Sequence, residues 1–229
     1  MFDTYYLLLV VPAMLLALWA QSRVQSTYRQ YSAVLSDSGL TARQAAERVL
    51  ELNGVQDVRF ERTGGQLTDH YDPRSNTIRL SGPVEGSRSV AAIGVACHEA
   101  GHAVQYARQY GPIRLRNGLL PVAQLGSSLA FPLILLGIFI DMGNLINFGL
   151  LLFGGVALFQ LVTLPVEFDA SRRAIAALEG SGMMSGDELY GAKKVLSAAA
   201  MTYVAALLTA LAQLLRLVLL FGGRGRRND

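Results

Sequence analysis

Two of the three histidines in this chain, His98 and His102, stand four residues apart, with Glu99 directly after the first. On an α-helix, positions i and i+4 share a face about one turn apart, so both imidazoles reach the same ion. Glu99 leaves the helix about 100° around from His98, near enough to touch a water on that ion without being a ligand itself. The pattern H-E-x-x-H thus reads as two zinc ligands and a general base, Glu99, on one helical turn. The plainer alternative is an ordinary helix carrying two polar histidines and a solvated glutamate.

A catalytic zinc takes three protein ligands and keeps a fourth position open. The third ligand must come from elsewhere in the chain. The candidates are His70, in Asp69-His70-Tyr71-Asp72, the carboxylates of the surrounding polar segment, and Glu167. A two-histidine, one-glutamate set is common in such sites, which favours Glu167 over His70. The plainer role for Glu167 is a carboxylate stabilised by the dipole at a helix N-terminus. Cys97, the single cysteine, lies about 100° around the helix from His98 and reads as a small buried apolar residue.

The composition describes where such a site would sit. The chain has 229 residues, of which 52% are hydrophobic and 16% charged. Mean hydropathy is +0.34. Soluble domains carry about 25% charge, so the balance points to a membrane protein. Twelve of the twenty basic residues fall between Arg23 and Arg116, mixed with nine acids. That is a folded polar domain, and a net charge of +3 so interspersed gives no nucleic-acid-binding surface.

Residues 4–22 carry no charge until Arg23, and Tyr5, Tyr6 and Trp19 sit where interfacial anchors belong. With Asp3 as the only early charge, the segment lacks the basic start of a signal peptide and is expected to be an uncleaved anchor, residues 1–22. Residues 23–116 are expected to form a small soluble domain. Thr41-Ala42-Arg43-Gln44 has the form of a capping box and Asn53-Gly54 of a helix stop, predicting a helix from Ala42 to Leu52. Strands are expected over Val55–Arg62, Leu67–Tyr71 and Thr77–Ser81, as a short antiparallel sheet. The motif helix then starts near Ser87 or Ser89 and stops at Gly111-Pro112. Its apolar run, Val90 to Cys97, is too short to span a bilayer, so the site belongs to the water-facing domain.

Two uncharged stretches follow, Asn117–Ile140 and Met142–Val166, as a transmembrane hairpin (117–166) with its tip at Asp141-Met142-Gly143-Asn144. The hairpin returns Glu167 to the side from which it left. Leu164-Pro165-Val166-Glu167 reads as a fresh helix start, opening a segment over 167–194. Residues 195–229 hold a further apolar helix, a possible fourth span interrupted by Arg216, and a basic tail. The first segment has basic residues only after it, and Arg114, Arg116, Arg172 and Arg173 flank the base of the hairpin. The positive-inside rule therefore puts the soluble domain in the cytoplasm. A fourth crossing would put the basic tail outside, against that rule. The sequence leaves open whether 195–220 crosses, packs against the other helices or lies along the interface.

His98-Glu99-Ala100-Gly101-His102, preceded by Asp69-His70-Tyr71-Asp72-Pro73 and Ile78-Arg79-Leu80-Ser81, is followed by the hairpin and Pro165-Val166-Glu167-Phe168-Asp169-Ala170-Ser171. In this combination, over essentially the whole chain, the protein resembles the YugP-type membrane zinc metallopeptidases of bacteria. It is similar, more distantly, to the HtpX and CAAX prenyl protease gluzincins. The resemblance implies an α+β membrane protein with a zincin-like domain, one zinc ion per chain held by His98, His102 and Glu167, and a location in the bacterial plasma membrane. In the distant relatives an aspartate four positions after the glutamate supports a ligand histidine. Here that position is Ser171, and Asp169 is the nearest acid.

The expected activity is endopeptidase hydrolysis of a peptide or protein substrate, with Glu99 passing a proton from water to the leaving amine. Thr77, Ile78, Arg79, Leu80 and Ser81 are the expected strand edge on which substrate lies. For the oxyanion donor the candidates are His70, Tyr71, Arg172 and Arg173. Two other readings compete. A site-2-type intramembrane protease would need the motif inside a span. A zinc-binding scaffold without turnover would need no base such as Glu99.

Overall fold

The computed structural model describes residues 3–222, so the basic tail beyond Gly222 lies outside the described residues. In chain order the elements are α1 (Val11–Ser32), α2 (Ala42–Leu52), β1 (Arg59–Thr63), β2 (His70–Asp72), β3 (Thr77–Ser81), α3 (Gly82–Glu85), α4 (Val90–Ala107), α5 (Gly111–Phe139), α6 (Gly143–Gly180) and α7 (Gly186–Phe221). A π-helical turn, Tyr6–Val10, precedes α1. The chain divides into two compact units. One holds Gln21–Ile113 and Val166–Met201; the other holds the chain up to Ala20, Arg114–Pro165 and the part from Thr202 onward.

The first unit is built around α4. Ser89 caps it, its side chain accepting from the Ala92 amide. α4 is apolar nearly all round, and a helix of that kind belongs in a core. Ala42, Ala45, Ala46, Val49 and Leu50 of α2 form one hydrophobic core with α4, Ile78 and Leu80 of β3, Ala174 and Leu178 of α6, and Leu189, Ala192 and Leu196 of α7. α2 starts at the capping box read from its sequence, with Thr41 and Gln44 satisfying each other's backbone amides.

The sheet departs from expectation. Its strand order is β1-β3-β2, with β1 parallel to β3 and β2 antiparallel to it, so it is mixed and not antiparallel throughout. β3 was expected to offer a free edge, yet it is hydrogen-bonded on both sides. The reason is burial. Thr77, Ile78, Leu80 and Ser81 are all buried, whereas β1 and β2 carry exposed residues. The most buried strand takes the centre, and the free edges belong to β1 and β2.

Two helix boundaries also move. α4 ends at Ala107, and Gly111-Pro112 opens α5 instead of closing α4. Proline is well suited to a first helical turn, where its missing N–H has no partner to lose. Pro165, conversely, lies inside α6 and starts nothing; Glu167 is therefore mid-helix, and the helix-terminus role for it falls away.

Among the described residues, four helices are long and apolar enough to cross a membrane: Tyr6–Ser32, Gly111–Phe139, Gly143–Gly180 and Gly186–Phe221. α4 is not one of them. In the second unit, α5 and α6 pack so closely that a Cβ on Gly149 would stand 2.8 Å from the Ala130 carbonyl oxygen. Arg216, which breaks the apolar run of α7, pairs with Asp3 at 2.9 Å and lies over the Tyr6 ring.

The tightest constraint in the first unit is at Gly101. A Cβ there would lie 2.6 Å from the backbone oxygen of Ala170 on α6. Gly101→Ala must push the two helices apart, at a cost of about 1–3 kcal/mol. Thermal unfolding in detergent should show a lowered Tm. Gly118→Ala, whose Cβ meets nothing within 4 Å, should match or slightly exceed wild type.

Candidate metal centre

His98 and His102 project from one face of α4, their rings 4.7 Å apart and nearly perpendicular. The Glu167 side chain comes from α6, carried in by the close approach at Gly101. Its Oε2 lies 3.3 Å from His98 Nε2 and 3.4 Å from His102 Nε2. These three side chains form a group able to hold a metal ion, all donor atoms lying within 4.8 Å of one another. His70 is not in the group. It stands on β2, exposed, with Nδ1 against the Thr68 carbonyl oxygen at 2.8 Å.

The donor set fits zinc on two counts. Ligand atoms ~2.0–2.1 Å from a tetrahedral zinc lie roughly 3.3–3.4 Å from one another, which is the spacing of Glu167 Oε2 from each imidazole. The polar bookkeeping points the same way. Glu167 Oε2 is buried with no hydrogen-bond donor. Each imidazole has its other nitrogen occupied: His98 Nδ1 by Ser171 Oγ at 3.1 Å, His102 Nδ1 by Gln105 Oε1 at 3.0 Å. That arrangement turns both Nε2 atoms toward the carboxylate.

Glu99 is buried, and burial pushes its carboxyl above the usual carboxylate range, against the pull of the two neighbouring histidines. Its Oε2 accepts the backbone N–H of Tyr71 at 2.9 Å, which brings the β2 edge to the Glu99 carboxylate. Burial also pushes the Cys97 thiol up, as suits an inert core residue.

The candidate oxyanion donors are engaged elsewhere. The Tyr71 hydroxyl donates to Asn76 Oδ1 at 2.7 Å. Arg172 and Arg173 both bind Asp169, the latter through Nε at 2.6 Å, and Arg173 also lies over the Tyr110 ring. They clamp the Asp169 carboxylate. Asp169 does not touch either histidine. It reaches His102 through Gln105, whose Nε2 donates to Asp169 Oδ2 at 2.9 Å and to the Val166 carbonyl at 2.8 Å. Ser171, four residues after Glu167, supports His98 directly.

Sequence reasoning missed Gln105. The available signal was its spacing: three residues after His102, it shares that histidine's face of the helix. Ser171 stands in the same relation to Glu167, one turn on. Removing its hydroxyl should leave the His98 ring less restrained. Ser171→Ala is expected to lower zinc affinity by up to about tenfold, measured by chelator competition, while helix content stays at the wild-type value.

Residues 6–222 match the family described as "Putative neutral zinc metallopeptidase". The chain is 46% identical over 216 residues to "Putative membrane protease YugP" of Bacillus subtilis (strain 168), a match covering 94% of this chain and 96% of that protein. No solved structure matches it. A histidine pair and a glutamate converging on one buried point, in a chain matched almost end to end, place this protein in that zinc metallopeptidase family.

Proposed function

We propose that this chain is a membrane-embedded, zinc-dependent endopeptidase of gluzincin type, with a zincin-like domain on the cytoplasmic side of the bacterial plasma membrane. The observation that carries the reading is the convergence of His98 Nε2, His102 Nε2 and the otherwise unpartnered Glu167 Oε2. One zinc ion per chain would be held by these three residues. Bound there, it supplies Lewis acidity and brings the pKa of a coordinated water toward neutrality.

The protein's own groups supply the rest. Glu99, beside the histidines and outside the donor group, accepts the proton of the attacking water at its carboxylate and returns it to the departing amine. The raised affinity of this buried carboxylate for a proton suits both halves of that transfer. The Tyr71 amide faces Glu99 and β2 is an outer strand of the sheet, so an extended peptide is best accommodated along β2. This replaces β3, whose hydrogen bonds are already spent.

Orientation rests on Arg23, Arg29, Arg114, Arg116, Arg172 and Arg173, which the positive-inside rule assigns to the cytoplasm. The pairing of Arg216 with Asp3 supports α7 as a fourth span, returning to the side where α1 begins. The absence of α4 from the helices able to span counts against an intramembrane site of site-2 type.

Glu99→Gln should keep zinc and lose casein or peptide hydrolysis by about 10²–10⁴-fold in the purified, detergent-solubilised protein. Equal, non-zero activity in both proteins would sink the mechanism, and zinc binding without turnover on any peptide panel would favour the scaffold reading. The ligand set has its own test by metal analysis: Glu167→Ala should come out zinc-free and His70→Ala zinc-loaded. The reverse pattern would exchange their roles.

A further inference from the structure

Gln105 is completely buried, and both ends of its amide are engaged. Its Nε2 donates to the Val166 carbonyl and to Asp169 Oδ2. A carbonyl and an ionised carboxylate only accept, so the NH₂ end of the amide has to face them. Oε1 is then the end turned to His102 Nδ1, 3.0 Å away. An amide oxygen cannot donate. The hydrogen bond therefore requires the proton on Nδ1, and in the neutral imidazole, the form that binds a metal, this leaves the lone pair on Nε2, the atom facing Glu167. Asp169, almost wholly buried, is held in its acceptor form by Arg172 and Arg173.

His98 has no such constraint. Its Nδ1 meets the Ser171 hydroxyl, which donates or accepts equally well and selects no tautomer. The two histidines of the motif are thus held in chemically different ways.

We propose that Gln105 is a positioning residue that fixes the tautomer and orientation of His102, and that Asp169, clamped by Arg172 and Arg173, acts on the metal centre through Gln105. The inference rests on the reading of His102 as a metal ligand given above.

Two measurements on the full-length, detergent-solubilised protein test it. The first is zinc affinity by chelator competition. The second is the ring ¹⁵N spectrum of metal-free protein labelled at histidine, with the three histidines assigned through His70→Ala and His98→Ala. Wild type should show His102 protonated on Nδ1. Gln105→Met should move it toward the Nε2-protonated form and weaken zinc binding by about 10–100-fold. Gln105→Glu sets an acceptor against Asp169 and Val166 and should also weaken binding. Adding Asp169→Asn restores a donor opposite that acceptor, giving up the Arg173 contact to the same atom, and should recover part of the loss. Circular dichroism and Tm monitor folding. If Gln105→Met does not fold, the nearly isosteric Gln105→Glu and its Asp169→Asn double variant carry the comparison.

Unchanged tautomer and unchanged zinc affinity in Gln105→Met would overturn the proposal. No recovery in the double variant would remove Asp169 from it. A wild type that binds no zinc would instead overturn the metal-centre reading, while the ¹⁵N arm would still report on Gln105 in metal-free protein.

Discussion

Everything at this site depends on two helix backbones meeting at Gly101 and Ala170. A side chain at position 101 would occupy space taken by the Ala170 carbonyl, so only glycine permits the contact. The contact point lies between the histidines on α4 and one turn past Glu167 on α6. It is therefore the pivot from which all three donor atoms reach a common centre. The bonds across the same interface, Ser171 to His98 and Gln105 to the Val166 carbonyl, hold the register that the glycine allows.

Burying such a group is costly unless its polar atoms are satisfied. Here nearly all of them are. Glu99 has the Tyr71 amide, the two Nδ1 atoms have Ser171 and Gln105, and Asp169 has a glutamine and two arginines. What is left is a carboxylate oxygen facing two imidazole nitrogens, three acceptors with no donor between them when both histidines carry their proton on Nδ1. Converging lone pairs repel, and a cation at their centre turns that repulsion into binding energy. The donor geometry of the pocket thus suits a metal on physical grounds independent of the sequence motif.

The elements most legible in the sequence were those decided locally. Thr41 and Gln44 announce the start of α2, and Ser87 or Ser89 that of α4, where the cap is Ser89, because a cap is satisfied within its own first turn. The tip at Asp141 was readable between two uncharged stretches, and the chain turns there between α5 and α6. Less legible were features in which local signals compete with packing. Pro165 beside an acidic residue looks like a helix start, yet long apolar helices carry internal prolines when their neighbours compensate. Gly111-Pro112 was read as a stop, although the same dipeptide serves equally well to begin a helix.

The sequence by itself determined the chemistry on α4. Two imidazoles and a carboxylate on adjacent faces follow from 3.6 residues per turn, whatever surrounds the helix. It determined the apolar segments too, since their length and lack of charge are properties of the chain alone. Only the tertiary structure decided the centre of the sheet, which went to β3 because it is buried on both faces. It also decided which side chains support each histidine. Those partners lie on α4 and on α6, far apart in sequence, and no local rule specifies where two such helices touch. In this chain the place of contact is set by the absence of a side chain at Gly101, and its meaning appears only when the Ala170 carbonyl is seen against it.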